Sequence, residues 1–348
     1  MSRNHTEKFQ NENLKRFTVL VTGAAGFIGS HLVDELVVLN HQVIAVDDLS
    51  GGYKENVNPN AIFIQASVVD YNFINKIFDQ YRPRFVYHLA AYAAEGLSHF
   101  IRRFNYTNNL VGTANIVNAC VNYNTKHLVF TSSIAVYGGL TPPVTEKMTP
   151  QPEDPYGIAK YAAEQDIKLA WEMFGLPYTI FRPHNVYGER QNVADRYRNV
   201  IGIFMNQLML NKPLTVFGNG EQSRGFTYIK DISGILAKAP LNPKAKNQIF
   251  NLGAEQPITI NQLIVILNKV MGVEPIIRYL PARHEVMHAF ASHQKVRRAF
   301  HLTDGEETPI ELGLTKMWHW VRCNGARKTP KFKNIEIEKN IPSIWLKN

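Results

Sequence analysis

Up to Phe181 the hydrophobic positions switch repeatedly between two periods. Phe17–Thr22 is a β-branched apolar run that ends in a glycine-rich turn. From Phe27 to Leu39 the spacing becomes helical, with Ile28, Leu32, Leu36 and Leu39 on one face. His41–Val46 reads as a second buried strand. Further short apolar runs follow at Ala61–Ile64, Phe85–His88, His127–Thr131 and Tyr178–Phe181, separated by helical patterns at Tyr71–Gln80, Asn108–Asn122 and Tyr156–Phe174. Alternation of this kind predicts a parallel, doubly wound α/β sheet.

After Arg182 the rhythm weakens. A loop-like polar stretch leads into a helical pattern at Val200–Leu210, a strand at Leu214–Phe217 broken by Gly218-Asn219-Gly220, and two later helices, Ile260–Val270 and Glu311–Val321. These segments predict a smaller C-terminal α/β lobe, with the substrate cleft between it and the sheet.

Length and composition narrow the class. The chain has 348 residues, 45% hydrophobic and 19% charged, which suits a globular protein with a sizeable core and excludes disorder or collagen. No apolar stretch is long enough for a membrane span. Met1–Arg16 has no apolar core of a secretory signal, so a cytoplasmic location is expected. Cys120 and Cys323 make neither a disulfide framework nor a zinc site, and no metal is expected. The formal charge of +9 leaves nucleic acid, membrane surfaces and anionic small molecules open. Most of that excess lies in 1–16 and 322–348, so the span between them is nearly neutral and no specific nucleic-acid partner is expected.

Two local motifs bring chemistry. Thr22–Gly29 (TGAAGFIG) spaces Gly23, Gly26 and Gly29 three apart between a strand and a helix. The first permits a tight turn, the second a close backbone approach to a pyrophosphate, and the third close helix–sheet packing. Asp47 closes the next strand and would accept from the adenosine ribose hydroxyls, while Asp48 beside it repels a 2′-phosphate, so NAD is favoured over NADP. The second motif, Tyr156-x-x-x-Lys160, puts a phenol and an ammonium on one helical face, which suits acid–base work on a hydroxyl losing hydride. The run Leu128–Ser133 places Ser133 at the cleft end of a strand, in reach of Tyr156 and a substrate oxygen; capping a turn is the ordinary alternative for Ser132 and Ser133.

With His88–Ala91 (HLAA), Thr131–Gly138 (TSSIAVYG) and Arg182–Gly188 (RPHNVYG), these motifs occur in an order that resembles the extended short-chain dehydrogenase/reductases, particularly NAD-dependent nucleotide-sugar epimerases of the UDP-glucose 4-epimerase type. The resemblance runs from about Phe17 to about Trp320. It implies a Rossmann-like NAD-binding domain of residues 14–181 plus 228–254, a nucleotide-sugar lobe of 182–227 plus 255–330, and peripheral tails at 1–13 and 331–348. Ser133, Tyr156 and Lys160 match the catalytic set. Cofactor contacts are implied along the turn (Ala25, Phe27, Ile28), at Asp48-Leu49, at Ser67-Val68, at Leu89-Ala90-Ala91, and at Asn108, Thr131 and Pro183. Ser67 stands where the family usually has an aspartate.

For the substrate, a UDP-sugar, the resemblance implies Asn185 at the diphosphate, Asn199 and Val200 at a capping helix, Thr215 and Phe217 beside the base, and Arg224 and Arg283 as a diphosphate clamp. It also implies a homodimer through helices around Asn108–Asn122 and Tyr156–Phe174. Dehydrating and decarboxylating relatives carry an acid at the serine strand, where Ile134 and Ala135 stand here. The expectation is therefore 4-epimerisation of a UDP-hexose with Tyr156 as acid and base. A dehydratase or oxidoreductase that recruits Glu95 is the first alternative, and a non-catalytic dinucleotide-binding or nucleic-acid-associated protein the second. Ser98 and His99 have no assigned role, a surface face being the default for His99.

Overall fold

The structure, a computed structural model, describes residues 15–348 apart from 196, 255, 283–284, 304, 326–331, 333, 343–344 and 346–348. Its centre is a seven-stranded parallel sheet. Strands β1 (Thr18–Thr22), β2 (Gln42–Asp47), β3 (Ile62–Gln65), β4 (Phe85–His88), β5 (His127–Thr131) and β6 (Tyr178–Pro183) are joined by a late strand, Gln248–Leu252, in the order Gln248–Leu252, β6, β5, β4, β1, β2, β3.

Burial on both faces explains the continuous apolar runs. Val19, Val21, Val43, Ala45, Tyr87 and Val129 point into one core with α1 (Phe27–Val38) and the helix Ile229–Lys238. The residues between them, Leu20, Ile44, Val86, Leu128 and Phe130, point into the other core, under α2 (Tyr71–Tyr81) and the helices Gly112–Asn122 and Pro155–Phe174. The two-residue period of a strand therefore serves two cores at once. This is the Rossmann-like α/β fold that the pattern predicts.

The chain runs outward from β1 to β3, then crosses back to β4 on the other side of β1. The crevice at such a reversal is where open α/β sheets bind ligands. The predicted helix at Asn108–Asn122 begins earlier, at Arg102–Tyr106, and passes through a wide π-type turn, Thr107–Val111, before Gly112–Asn122. Such turns frequently sit at functional sites, and this one holds Asn108.

After β6 the chain leaves the sheet. Strand Leu214–Phe217 pairs with Ile277–Leu280, and Ser223–Gly225 pairs with both Pro257–Thr259 and His288–Ala289. These small sheets, with the helices Val200–Met209 and Ile260–Met271, form the second lobe. The last of these helices opens with a reciprocal cap, Thr259 Oγ1 accepting from Gln262 N and Gln262 Oε1 accepting from Thr259 N. Helix Ile229–Lys238 returns to α1, where Ser233 donates to Glu35 at 3.0 Å. The described residues of 332–345, expected at the periphery, instead pack against residues 92–104 and Tyr197.

Candidate active site

The glycine turn shows why each position is small. Gly23 has φ +70°, and a Cβ there would meet the Ala90 backbone nitrogen at 2.8 Å. At Gly29 a Cβ would lie 2.0 Å from the Gly23 carbonyl, so α1 can approach the turn only without a side chain. Asp47, nearly buried, accepts from Ala25 N at 3.0 Å through Oδ2 and from Leu49 N at 2.8 Å through Oδ1. Burial pushes its carboxyl above the usual range, opposed by these N–H donors. A carboxylate has about four acceptor positions, so Asp47 keeps capacity for a ribose hydroxyl. The open cradle at Gly23 and Gly26 and the acid at the end of β2 together fit NAD.

Beneath the turn, a buried chain of hydrogen bonds locks β1 to β4. Ala90 N donates to Thr22 Oγ1 at 3.2 Å, Thr22 bonds His88 Nδ1 at 2.7 Å, and His88 Nε2 bonds Thr113 Oγ1 at 3.0 Å. Thr113 Oγ1 donates to the Asn109 carbonyl at 2.7 Å. Burial, helped by the Lys160 charge, pulls His88 down to about 3, so the ring is neutral with its proton on Nε2.

The reactive groups meet at the ends of β5 and the helix Pro155–Phe174. That helix starts where it does because Pro155 fits its first turn and Asp154 accepts from Gly157 N at 2.9 Å. One turn on, Lys160 Nζ donates to the Thr131 carbonyl at 2.8 Å and lies 5.9 Å from the Tyr156 ring centre. Tyr156 hydrogen-bonds Ser133, whose Oγ also accepts from Ala135 N at 3.1 Å, so Ser133 both caps its turn and faces the phenol. Ser132 turns inward to Glu164 Oε1 at 2.5 Å.

Burial sets the electrostatics. It pulls the Lys160 ammonium down to about 7, and the Glu164 charge opposes it. It pushes the Tyr156 phenol well above its usual value, with the Ser133 bond opposing and the Asp154 and Glu95 charges reinforcing. Glu164 is itself held by Arg182, through Nε at 2.9 Å and Nη2 at 2.5 Å, with both side chains almost fully buried. Arg182 Nη1 donates to Tyr137, and Tyr137 donates to Asn251. This network ties the helix Pro155–Phe174 to β6 and to the late strand. Nothing in the spacing of Glu164 and Arg182 announces it.

One cleft of about 540 Å³ joins these groups to the second lobe. Gly23, Gly26, Phe27, Ile28, Gly29, Asp47, Asp48, Val68, Leu89, Ala90, Ala91, Asn108, Thr131, Ser133, Tyr156, Lys160 and Pro183 line it on the sheet side. Asn185, Asn199, Val200, Thr215, Phe217 and Arg224 line it from the lobe. Three implied cofactor residues do not. Ala25 and Leu49 act through their N–H groups on Asp47, and the Ser67 hydroxyl accepts from Val69 N at 3.3 Å within its own turn. Arg283 lies outside the described residues.

Several lobe residues have structural partners already. Asn199 accepts from Ile201 N at 3.1 Å and donates to the Val186 carbonyl at 2.6 Å, so its amide caps the helix Val200–Met209. Thr215 Oγ1 accepts from Gln207 at 2.8 Å. Arg224 donates to the carbonyls of Ser223 and Met287 and faces Glu285 at 3.5 Å. The cleft also includes residues with no sequence signal: Gln191, Tyr197, Arg198 and Glu285. Arg198 pairs with Asp195 at 2.9 Å and stacks 4.5 Å over the Tyr92 ring, bridging lobe and sheet. His99, a surface residue by default, lines the cleft beside Glu95. Among the described residues no helix is long and apolar enough to cross a membrane.

Residues 19–253 match the model of the NAD dependent epimerase/dehydratase family. The chain is 35% identical over 310 residues to a putative UDP-glucose 4-epimerase of Methanocaldococcus jannaschii, covering 88% of this chain and 99% of that one. The crystal structure of Thermotoga maritima UDP-glucose 4-epimerase with UDP-glucose superimposes with a TM-score of 0.82 at 33% identity, covering 88% of this chain and 99% of that one. A dTDP-D-glucose 4,6-dehydratase of Homo sapiens is 33% identical over 346 residues, with coverage of 91% and 92%.

Proposed function

We propose, for a chain that belongs to the NAD dependent epimerase/dehydratase family, that it inverts C4 of a UDP-hexose through a transient 4-keto sugar. The observation that supports this reading most is the composition of the reactive cluster. Ser133, Tyr156 and Lys160 converge, while the two positions after Ser133 are Ile134 and Ala135, which move no protons.

Bound NAD supplies a reversible hydride acceptor at the reacting carbon. Tyr156 takes the proton of the C4 hydroxyl as the C–H bond breaks and returns it after the keto sugar has turned over. Ser133 holds the substrate oxygen next to the phenol. Lys160, anchored on the Thr131 carbonyl with its ammonium 5.9 Å from the Tyr156 ring centre, stabilises the phenolate when charged. Arg224, at the lobe side, is placed for the diphosphate.

Tyr156→Phe is expected to abolish turnover while the protein still binds NAD; near-normal turnover would sink the mechanism. A second reading rests on Glu95, whose charge acts on Tyr156 in the same cleft: as an added acid it would make the enzyme a dehydratase. Incubation with UDP- and dTDP-sugars separates the two, since epimerisation yields an isomer and dehydration a product lighter by one water. We also read the enzyme as a cytoplasmic homodimer. Ile158, Leu169, Met173 and Phe174 leave apolar surface on the helix Pro155–Phe174, and light scattering should report twice the chain mass.

A further inference from the structure

We infer that the described residues of 332–345 form a strap that positions the sugar-side wall of the cleft. This rests on the reading above only in naming the hexose as what the wall contacts. The wall runs from Tyr92 to Tyr106, and Tyr92, Glu95, Gly96, His99 and Phe104 line the cleft. It contains two very short helices, Glu95–Ser98 and Arg102–Tyr106. Helices of that length do not hold themselves in water and depend on tertiary contacts.

On the inner side those contacts come from the start of the catalytic helix. Ser98 Oγ accepts from Tyr156 N at 3.3 Å and donates to the Glu95 carbonyl at 2.6 Å. Asn105 donates to the Pro155 carbonyl at 2.8 Å. Any shift of the wall is therefore felt at the residue that bears the reactive phenol.

On the outer side the contacts come from the strap. Glu336 accepts from the N–H groups of Arg103 and Phe104 at 2.7 and 2.9 Å, and its own N–H donates to the Phe100 carbonyl at 2.8 Å. Phe332 packs edge-on against Phe104 at 4.8 Å and beside Tyr92 at 5.4 Å. The buried Trp345 ring lies 6.0 Å from Phe100 and 5.6 Å from Tyr197, and a Cβ on Gly96 would be 3.3 Å from it. Since Tyr197 belongs to the opposite, lobe-side wall, one tryptophan joins both walls at the sugar end. None of these strap residues lines the cleft, so Trp345 and Glu336 are positioning residues and act through Gly96, Phe100 and Phe104.

The test uses Trp345→Ala, Trp345→Phe and Glu336→Ala in the full chain. Expected are an approximately tenfold rise in KM for the UDP-hexose, equivalent to about 1.4 kcal/mol, in Trp345→Ala and a smaller rise in Glu336→Ala, with partial rescue in Trp345→Phe. UDP and NAD affinities stay within about twofold of wild type, because neither ligand needs this wall. Hydrogen exchange of amides 93–106 quickens in Trp345→Ala while the sheet is unchanged. Unaltered exchange there overturns the strap, as does a loss of UDP affinity equal to the loss for UDP-hexose. Should the wild type turn over no UDP-hexose, the functional reading fails, and the exchange measurement alone still decides the strap.

Discussion

The cofactor side of the cleft is shaped by backbone, whereas the side at which we propose the sugar binds is shaped by side chains that meet from distant parts of the chain. At Gly23 and Gly29 the close neighbours are main-chain atoms of Ala90 and of Gly23 itself, which cannot move aside. At the sugar side, Arg198 stacks on Tyr92, and Trp345 presses on Phe100 and Tyr197. Backbone-made surfaces tolerate no added atom. Surfaces made of side chains can be retuned one residue at a time, which suits a fold whose relatives act on different nucleotide sugars.

The strongest way to test that contrast is Gly29→Val. Its added carbons meet the Gly23 carbonyl, so NAD binding should be lost, with roughly 3 kcal/mol or more of stability, by titration and denaturation. Wild-type affinity in this variant would remove the backbone half of the contrast. Next in size is the buried pair behind the site. Arg182→Met leaves the Glu164 carboxylate buried and unpaired, and should lower the unfolding free energy by about 3–5 kcal/mol in urea. Adding Glu164→Leu should recover much of that loss. If the double variant is no better than the single one, the cost lies in packing rather than charge.

On the sugar side, Arg224→Ala should weaken UDP by roughly ten- to a hundredfold, the range for a charge-assisted contact, and leave NAD binding intact. Calorimetric titration with each ligand separates the two halves, and an equal loss for both would merge them. A separate test concerns acid. Burial holds His88 down to about 3 and His31 and His127 down to about 4, against 6.5 in an unfolded chain. The unfolded state therefore binds more protons in that window, and stability falls as pH drops from 6.5 toward 4. Each histidine contributes up to about 1.4 kcal/mol per pH unit. His88 lies beneath the glycine turn and His31 on α1, whereas His127 opens β5 at the strand end away from the cleft. A melting temperature flat between pH 6.5 and 4.5 would contradict their neutral burial.

The same contrast explains what could be read from sequence. β1, the glycine turn, Asp47 and the Tyr156/Lys160 pair are legible because each depends on near neighbours in the chain: a period of two, a period of 3.6, or one helical turn. Strands β4 and β5 match their predicted runs residue for residue. Glu164 and Arg182 are individually unremarkable charges, and only the fold brings them within 2.5 Å. Gln191, Arg198 and Glu285, which line the cleft, carry no sequence signal for the same reason. The stretch from Arg322 reads as a peripheral tail because seven basic residues stand there against two acids, yet Trp345, Ile335 and Phe332 supply contacts that fix its described part. Ser133 shows both alternatives satisfied together, since one oxygen caps a turn and meets the phenol.

The seventh strand has a consequence in time. Gln248–Leu252 pairs with β6 only after the chain has laid down residues 184–247, and closures across such long separations slow folding. Until it docks, Tyr178–Pro183 is an open edge with an apolar, β-branched and aromatic sequence. Such edges recruit strands from other molecules. A nascent chain is thus most exposed to misassociation between completing β6 and capturing its last neighbour. Dilution or cooling during refolding should raise the native yield by lengthening the odds against that encounter.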